Sequence, residues 1–205
     1  RRYAARVERG IERDRLLGLV VDHILENGIA GLTLRGIAAA TGSNNRMLLY
    51  YFGSKEQLIV DALRAARLRF PRFAEIPDIL RDSDDGLETR LLRAWDGISA
   101  LETRPFVRLF FSVFGLAVSQ PGVFGGWLDT VADDFAADVA ATLVRDGVDP
   151  GPARVLAREL VAAWRGLQMD LLSAGDDRRV HLAAQANAEA ICARALATKA
   201  TSQTD

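Results

Sequence analysis

Leu32-Thr33-Leu34-Arg35-Gly36-Ile37-Ala38-Ala39-Ala40-Thr41-Gly42-Ser43-Asn44-Asn45-Arg46-Met47-Leu48-Leu49-Tyr50-Tyr51-Phe52-Gly53-Ser54-Lys55-Glu56 is the stretch whose reading decides the fold. Leu34, Ile37 and Ala38 make a short apolar stripe at helical spacing. Thr33 precedes it and can accept a hydrogen bond from the free amides of a first turn. Gly42 supplies a tight turn, and Asn44 can cap a second short helix running to about Tyr51, with Leu48 turned inward. Small residues at Ala38–Ala40 permit close helix approach. Two short helices about such a turn form a helix-turn-helix, whose second helix enters the DNA major groove.

That geometry assigns chemistry to positions. Asn45 and Arg46 stand at the start of the second helix, where side chains reach base edges. An amide suits adenine and a guanidinium suits guanine. Tyr50, Tyr51 and Lys55 follow, where phosphates would be met. Neighbours on a helix do not share a face, so at least one of the two tyrosines points outward. The expected DNA-contact set is Thr33, Arg35, Asn44, Asn45, Arg46, Met47, Tyr50, Tyr51 and Lys55. The Arg-rich start (Arg1, Arg2, Arg6, Arg9) reads as a flexible solvated arm, with a minor-groove or phosphate contact as the alternative.

Outward from the motif, helical periodicity continues almost everywhere. Leu17, Val20, Val21, Ile24 and Leu25 form one stripe that Gly28 ends. Ser54 and Gln57 have capping-box spacing and open a helix through Leu58, Ile59, Ala62, Leu63 and Ala66. Pro71 and Pro77 then weaken the pattern. The expected division is a DNA-binding domain at 1–54, a connector helix at 55–70 and a regulatory domain at 71–205. In the last of these, 82–86 reads as a loop or acidic helix start, Gln120-Pro121-Gly122 as a turn, and Leu128 to Val139 as one helix. Two final helices are expected at about Ala153–Ser173 and Arg178–Ala197, with a frayed polar tail after them. Strand alternation and hairpin signals are lacking, so the fold class is all-α.

Composition narrows the function classes. The 205 residues are 49% hydrophobic, enough for a sizeable core. Residues 1–72 hold 13 Lys and Arg against 7 Asp and Glu, whereas residues 73–205 hold 13 against 20. A basic third on an acidic remainder suggests that one end meets a polyanion. The single cysteine, Cys192, excludes an intrachain disulfide and a cysteine-rich zinc site, and reads as a small buried residue. With two histidines, His23 and His181, and no His-Glu-x-x-His, P-loop or Gly-x-Ser-x-Gly, catalysis lacks its usual groups. Asp133-Asp134 and Asp176-Asp177 read as a solvated helix face and a cap region. No enzyme activity, cofactor or metal is expected. No apolar run of about 18 residues occurs, and no apolar segment follows the basic start, so the expected location is the cytoplasm.

Residues 33–58 resemble the DNA-binding region of the TetR family of repressors. The family pattern is Thr-x-Arg-x-Ile-Ala, Gly-Val-Ser, Leu-Tyr-x-His-Phe and Ser-Lys-Glu-x-Leu. It is matched at Thr33, Arg35, Ile37, Ala38, Gly42, Leu48, Phe52, Ser54, Lys55, Glu56 and Leu58. Ser43, Asn44, Leu49 and Tyr51 depart from it, and Leu49 replaces a tyrosine the family often sets on phosphate.

The resemblance implies a three-helix N-terminal DNA-binding domain with a larger helical C-terminal domain for ligand sensing and dimerisation. The partners it implies are a palindromic double-stranded operator, a small hydrophobic effector and a second copy of the chain. Stripes in the last two helices, among them Leu160, Trp164, Ala184, Ala188 and Ile191, are candidates for the dimer interface. The pocket candidates are Trp95, Phe106, Phe110, Phe111, Phe114, Trp127, Phe135, Trp164 and Gln168. Two other readings stay open: a TetR-like interaction protein with weakened or lost DNA binding, and an activator.

Overall fold

The structure is a computed structural model that describes residues 2–131, 134–173 and 177–202. Arg1, Asp133, Asp176 and residues 203–205 lie outside the described residues. Along the chain run α1 (Arg2–Asn27), α2 (Leu34–Ala40), α3 (Asn45–Phe52), α4 (Lys55–Arg67), α5 (Pro71–Ala74), α6 (Ile76–Arg81) and α7 (Leu87–Ser99). A 3-10 turn at Leu101–Thr103 leads to α8 (Arg104–Ser119), α9 (Pro121–Val131), α10 (Asp134–Arg145), α11 (Pro150–Ser173) and α12 (Asp177–Ser202). No strand occurs among the described residues, and the fold is all-α.

Several local expectations differ from what forms. The basic start is helix from Arg2 onward rather than a flexible arm. Its Arg, Ala and Glu residues are good helix formers, and no proline interrupts them. Pro121 opens α9 instead of ending in a turn, and Pro71 and Pro150 likewise stand first in their helices. A first helical position has no intrahelical use for the amide that proline lacks. Of the helix expected across 128–139, the residues to Val131 belong to α9 and those from Asp134 to α10, while Ala132 and Asp133 lie outside the described residues. α12 continues through the start of the expected polar tail to Ser202.

The chain divides into two compact units. One comprises Arg1–Phe70 with Pro105–Leu128; the other comprises Pro71–Arg104 with Asp129–Asp205. This differs from a cut at residue 71, because Pro105–Leu128 groups with the N-terminal residues.

In the first unit α1 packs on α4 through Leu16, Val20, Val21 and Ile24, all buried, against a face that holds Leu58, Ile59, Ala62 and Leu63. α2 contributes Ile37 and Ala38, and α3 contributes Leu48 and Phe52. Burying a Leu, Ile, Val or Phe side chain is worth about 1.5–3 kcal/mol. This core therefore fixes the two short helices, which in isolation would not persist.

In the second unit α6, α7, α10, α11 and α12 enclose a core that includes Leu91, Trp95, Leu143, Leu160, Trp164 and Ile191. Cys192 is only half-buried, packed against the edge of that core. Arg90 is buried within α7; its Nη1 donates to the Leu80 carbonyl at 3.2 Å, and its Nη2 pairs with Asp146. α5 lies close on α7 at Gly97, where an added Cβ would stand 2.7 Å from the Arg72 carbonyl oxygen.

Candidate nucleic-acid interface

Three side-chain caps shape the helix-turn-helix. Thr33 Oγ1 accepts from the Gly36 amide at 3.0 Å, and Asn44 Oδ1 accepts from the Met47 amide at 2.9 Å. Ser54 Oγ accepts from the Gln57 amide at 3.0 Å. The reciprocal half of the expected capping box is not made, because Gln57 Nε2 donates to Asp61 at 2.8 Å instead. Between α2 and α3 the backbone turns at Gly42, whose φ of +62° is a conformation L side chains rarely adopt. Thr41 closes that turn from inside; it is buried and its hydroxyl donates to the Ile37 carbonyl at 2.9 Å.

With Leu48 and Phe52 fixed inward, helical spacing turns Asn45, Arg46, Leu49 and Tyr50 outward, and all four are exposed. Thr33, Arg35 and Asn44 are exposed beside them. Met47, Tyr51 and Lys55 are half-buried. Caps occupy the side-chain oxygens of Thr33 and Asn44, which leaves the Asn44 amide group as an outward donor. Lys55 is drawn inward: Nζ donates to the Leu32 carbonyl at 3.5 Å and lies 3.6 Å from Glu56. Tyr51 stands edge-on to Tyr50 with ring centroids 5.1 Å apart. Sequence reasoning missed two cation–π pairs. Arg9 of α1 lies over the Tyr50 ring at 4.3 Å, and Arg13 lies over Phe52 at 4.9 Å. The i, i+4 spacing puts both arginines on one face of α1, but it does not identify their ring partners in α3.

The nine pocket candidates fall into two groups. Phe106, Phe110, Phe111, Phe114 and Trp127 belong to the first unit. There Phe110 meets Phe111, Phe114 and Trp127 at centroid distances of 5.3, 6.1 and 6.2 Å, while Phe106 meets Phe70 at 5.8 Å. Trp95, Phe135, Trp164 and Gln168 belong to the second unit. Trp95 and Trp164 are buried with rings 5.5 Å apart, and Phe135 lies 6.5 Å from Trp164. Trp95 Nε1 donates to His181 Nδ1 at 3.0 Å, whereas the buried Trp164 Nε1 has no hydrogen-bond partner among the described residues. A surface groove of about 260 Å³ lies elsewhere in this unit, lined by Pro77, Leu80, Arg81, Asp138, Ala141, Thr142 and Arg145. It contains none of the nine candidates.

The expected dimer residues Leu160, Trp164, Ala184, Ala188 and Ile191 are buried in the core of their own unit, so they are not a surface. The opposite faces of the same helices are exposed and mixed: Val155, Ala162 and Met169 stand among Arg158 and Glu159 on α11, and Leu182, Ala186 and Ala193 among Gln185 and Glu189 on α12.

Among the described residues no group of three or more His, Cys, Asp or Glu could hold a metal ion, and no helix is long and apolar enough to cross a membrane.

Residues 22–62 match the family described as bacterial regulatory proteins, tetR family. Over this N-terminal stretch the chain is similar to the tetR-family regulators. The HTH-type transcriptional repressor NicS of Pseudomonas putida (strain KT2440) is 32% identical over 85 residues, a stretch that spans 41% of this chain and 40% of that relative. A transcriptional regulator from Rhodococcus sp. Rha1 superposes with a TM-score of 0.69 at 17% identity, over 87% of this chain and 95% of its own. The multidrug binding protein EbrR, complexed with imidazole, superposes with a TM-score of 0.64 at 26% identity, over 86% and 89%.

Within the TetR pattern, α2 and α3 hold the matched residues Ile37, Ala38, Leu48 and Phe52 at their buried faces. The departures sit differently. Leu49, in place of the TetR tyrosine, is 42% exposed, and Tyr51, in place of the histidine, is half-buried. Tyr50, at the variable position between them, is the exposed tyrosine at 55%.

Proposed function

We propose that this chain is a cytoplasmic transcriptional repressor of the TetR family that binds a palindromic operator as a homodimer and is released by a hydrophobic small molecule. It is a binding protein rather than a catalyst. The observation that carries the reading is the outward face of α3. Asn45, Arg46 and Tyr50 project from a helix whose other face is anchored by Leu48 and Phe52. Asn45 and Arg46 offer base-edge donors, while Thr33, Arg35, Asn44, Met47, Tyr50, Tyr51 and Lys55 flank them toward the backbone. The repressor activity named for the NicS relative supports the same direction.

Dimerisation is supported by the exposed Val155, Ala162, Met169, Leu182, Ala186 and Ala193, small or apolar residues on the outer faces of α11 and α12 beside Glu159 and Glu189. A two-fold pairing of such faces gives a self-complementary interface and a matching operator symmetry. Half-sites would then lie about 34–36 Å apart. Effector binding is supported by the Trp95–Trp164–Phe135 group, where the unpartnered Trp164 Nε1 and the nearly buried Gln168 offer polar anchors in an apolar setting. A ligand there would bear a hydrogen-bond acceptor next to an apolar or aromatic body. The multidrug binding named for EbrR is in keeping with that chemistry.

The test is selection of bound duplexes from random DNA with the full chain, followed by a titration across salt. A palindromic consensus whose affinity falls steeply with salt is the expected result. Flat, sequence-independent binding would instead favour an interaction protein that kept the fold, and a consensus that raises transcription of a reporter would favour an activator.

A further inference from the structure

Arginines of the first unit differ in what their charge meets. Arg13 reaches Asp61 at 2.5 Å, Arg15 reaches Glu12 at 2.8 Å and Arg69 reaches Asp22 at 3.2 Å. Among the described residues, Arg9, Arg35 and Arg46 have no carboxylate partner. Arg35 and Arg46 belong to the helix-turn-helix itself. Arg9 does not; it comes from α1, and its guanidinium carbon lies 4.3 Å from the centroid of the Tyr50 ring.

α1 and α3 are thus joined by two rungs of the same kind. In the inner rung Arg13 covers Phe52 and is neutralised by Asp61, which Gln57 also holds. In the outer rung Arg9 covers Tyr50, and both residues are exposed. A guanidinium stacked on a ring keeps its N–H edge free in the plane, where it can take two phosphate oxygens. The ring fixes that plane through a cation–π contact and lowers the entropy lost on binding. Tyr50 follows Arg46 by four residues, so the stacked pair lies on the same face of α3 as the base-reading arginine. The tyrosine hydroxyl adds a second donor beside the guanidinium.

We propose that Arg9 and Tyr50 form one phosphate clamp, which grips the duplex backbone beside α3 and does there what Leu49, standing for tyrosine, has no hydroxyl to do. The clamp rests on the DNA-binding reading above. Its ligand is the backbone of double-stranded DNA, independent of sequence. Arg9 makes the ionic contact, and Tyr50 both orients it and donates its hydroxyl.

The experiment measures the full chain against two duplexes about 30 bp long, one carrying the selected consensus and one of unrelated mixed sequence, from about 50 to 200 mM salt. Arg9→Gln is expected to weaken both by a similar factor, on the order of tenfold at the lowest salt. The slope of log affinity against log salt should become shallower by about 0.9 for each phosphate no longer neutralised. Tyr50→Leu should reproduce much of that loss, and the double variant should lose less than the two single losses combined. Arg9→Lys should keep the slope, and thermal unfolding should shift by only the few degrees that loss of one exposed cation–π contact allows. An unchanged slope in Arg9→Gln, or a loss confined to the consensus duplex, would overturn the clamp while leaving DNA binding intact. Wild-type protein that binds neither duplex would overturn both.

Discussion

Trp95 Nε1 donates to His181 Nδ1 at 3.0 Å, which joins α7 to α12 by a side-chain hydrogen bond at the edge of a buried aromatic group. Accepting at Nδ1 requires His181 to carry its proton on Nε2. His181→Phe fills similar space without an acceptor and leaves the indole N–H unpaired. It should cost about 1–3 kcal/mol in urea unfolding. In a Trp95→Phe background the same exchange should cost markedly less, because no donor is then left behind.

Arg90 and Asp146 form a partner pair of a different kind. Removing one member strands a charge beside the core, so Asp146→Ala should destabilise the protein by about 3–5 kcal/mol. Arg90→Met, which removes the buried charge and keeps much of the volume, should cost less. Chemical unfolding of the two variants checks the order, and a more stable Asp146→Ala would refute the account.

Asn44 combines a structural task with an expected DNA contact, and two substitutions separate them. Asn44→Ala removes the cap on α3 and should lower stability by about 1 kcal/mol. Asn44→Asp keeps an oxygen for the Met47 amide and should unfold at nearly the wild-type midpoint. It replaces the outward donor with a negative charge, so its DNA affinity should fall far more than its stability. Paired unfolding and binding curves give both numbers.

Arg46 and Lys55 should behave differently in the same binding assay. Arg46→Ala is expected to cost about 1–3 kcal/mol and to relax preference at a guanine position of the consensus. Lys55→Ala should have a smaller effect on DNA, because its ammonium is already drawn to the Leu32 carbonyl and Glu56. Selection experiments repeated with each variant would display the contrast.

The outer face of α12 gives the test of assembly. Ala186 is exposed within one subunit, so Ala186→Asp leaves that subunit's core untouched. A second carboxylate beside the exposed Glu189 on a two-fold contact should shift the protein to monomer in sedimentation, with operator affinity falling as a consequence. An unchanged sedimentation coefficient would exclude this face.

Local chemistry was the legible part of the sequence. Thr33, Asn44 and Ser54 each cap the helix they precede, because a cap depends only on residues two or three positions away. The prolines misled, since the same residue ends one helix and begins another, and only the flanking packing decides. Burial on α11 and α12 was opaque for a related reason. Both helices carry alanine on more than one side, so periodicity could not tell Ala188, which is buried, from Ala186, which is exposed. The aromatic candidates were chosen by type and not by place, and they divide between two units. Arg9 on Tyr50 needed the packing of α1 beside α3, which no window of sequence contains.

Gly97 has a consequence at the level of inheritance. Its missing side chain is the space in which the Arg72 carbonyl rests. Every missense change of a glycine codon introduces a Cβ, so the codon has no missense neighbour that preserves this approach. Neighbouring exposed positions can drift under selection for new regulatory inputs. Position 97 can change only together with the path of the chain at Arg72, which makes the two a single evolutionary unit.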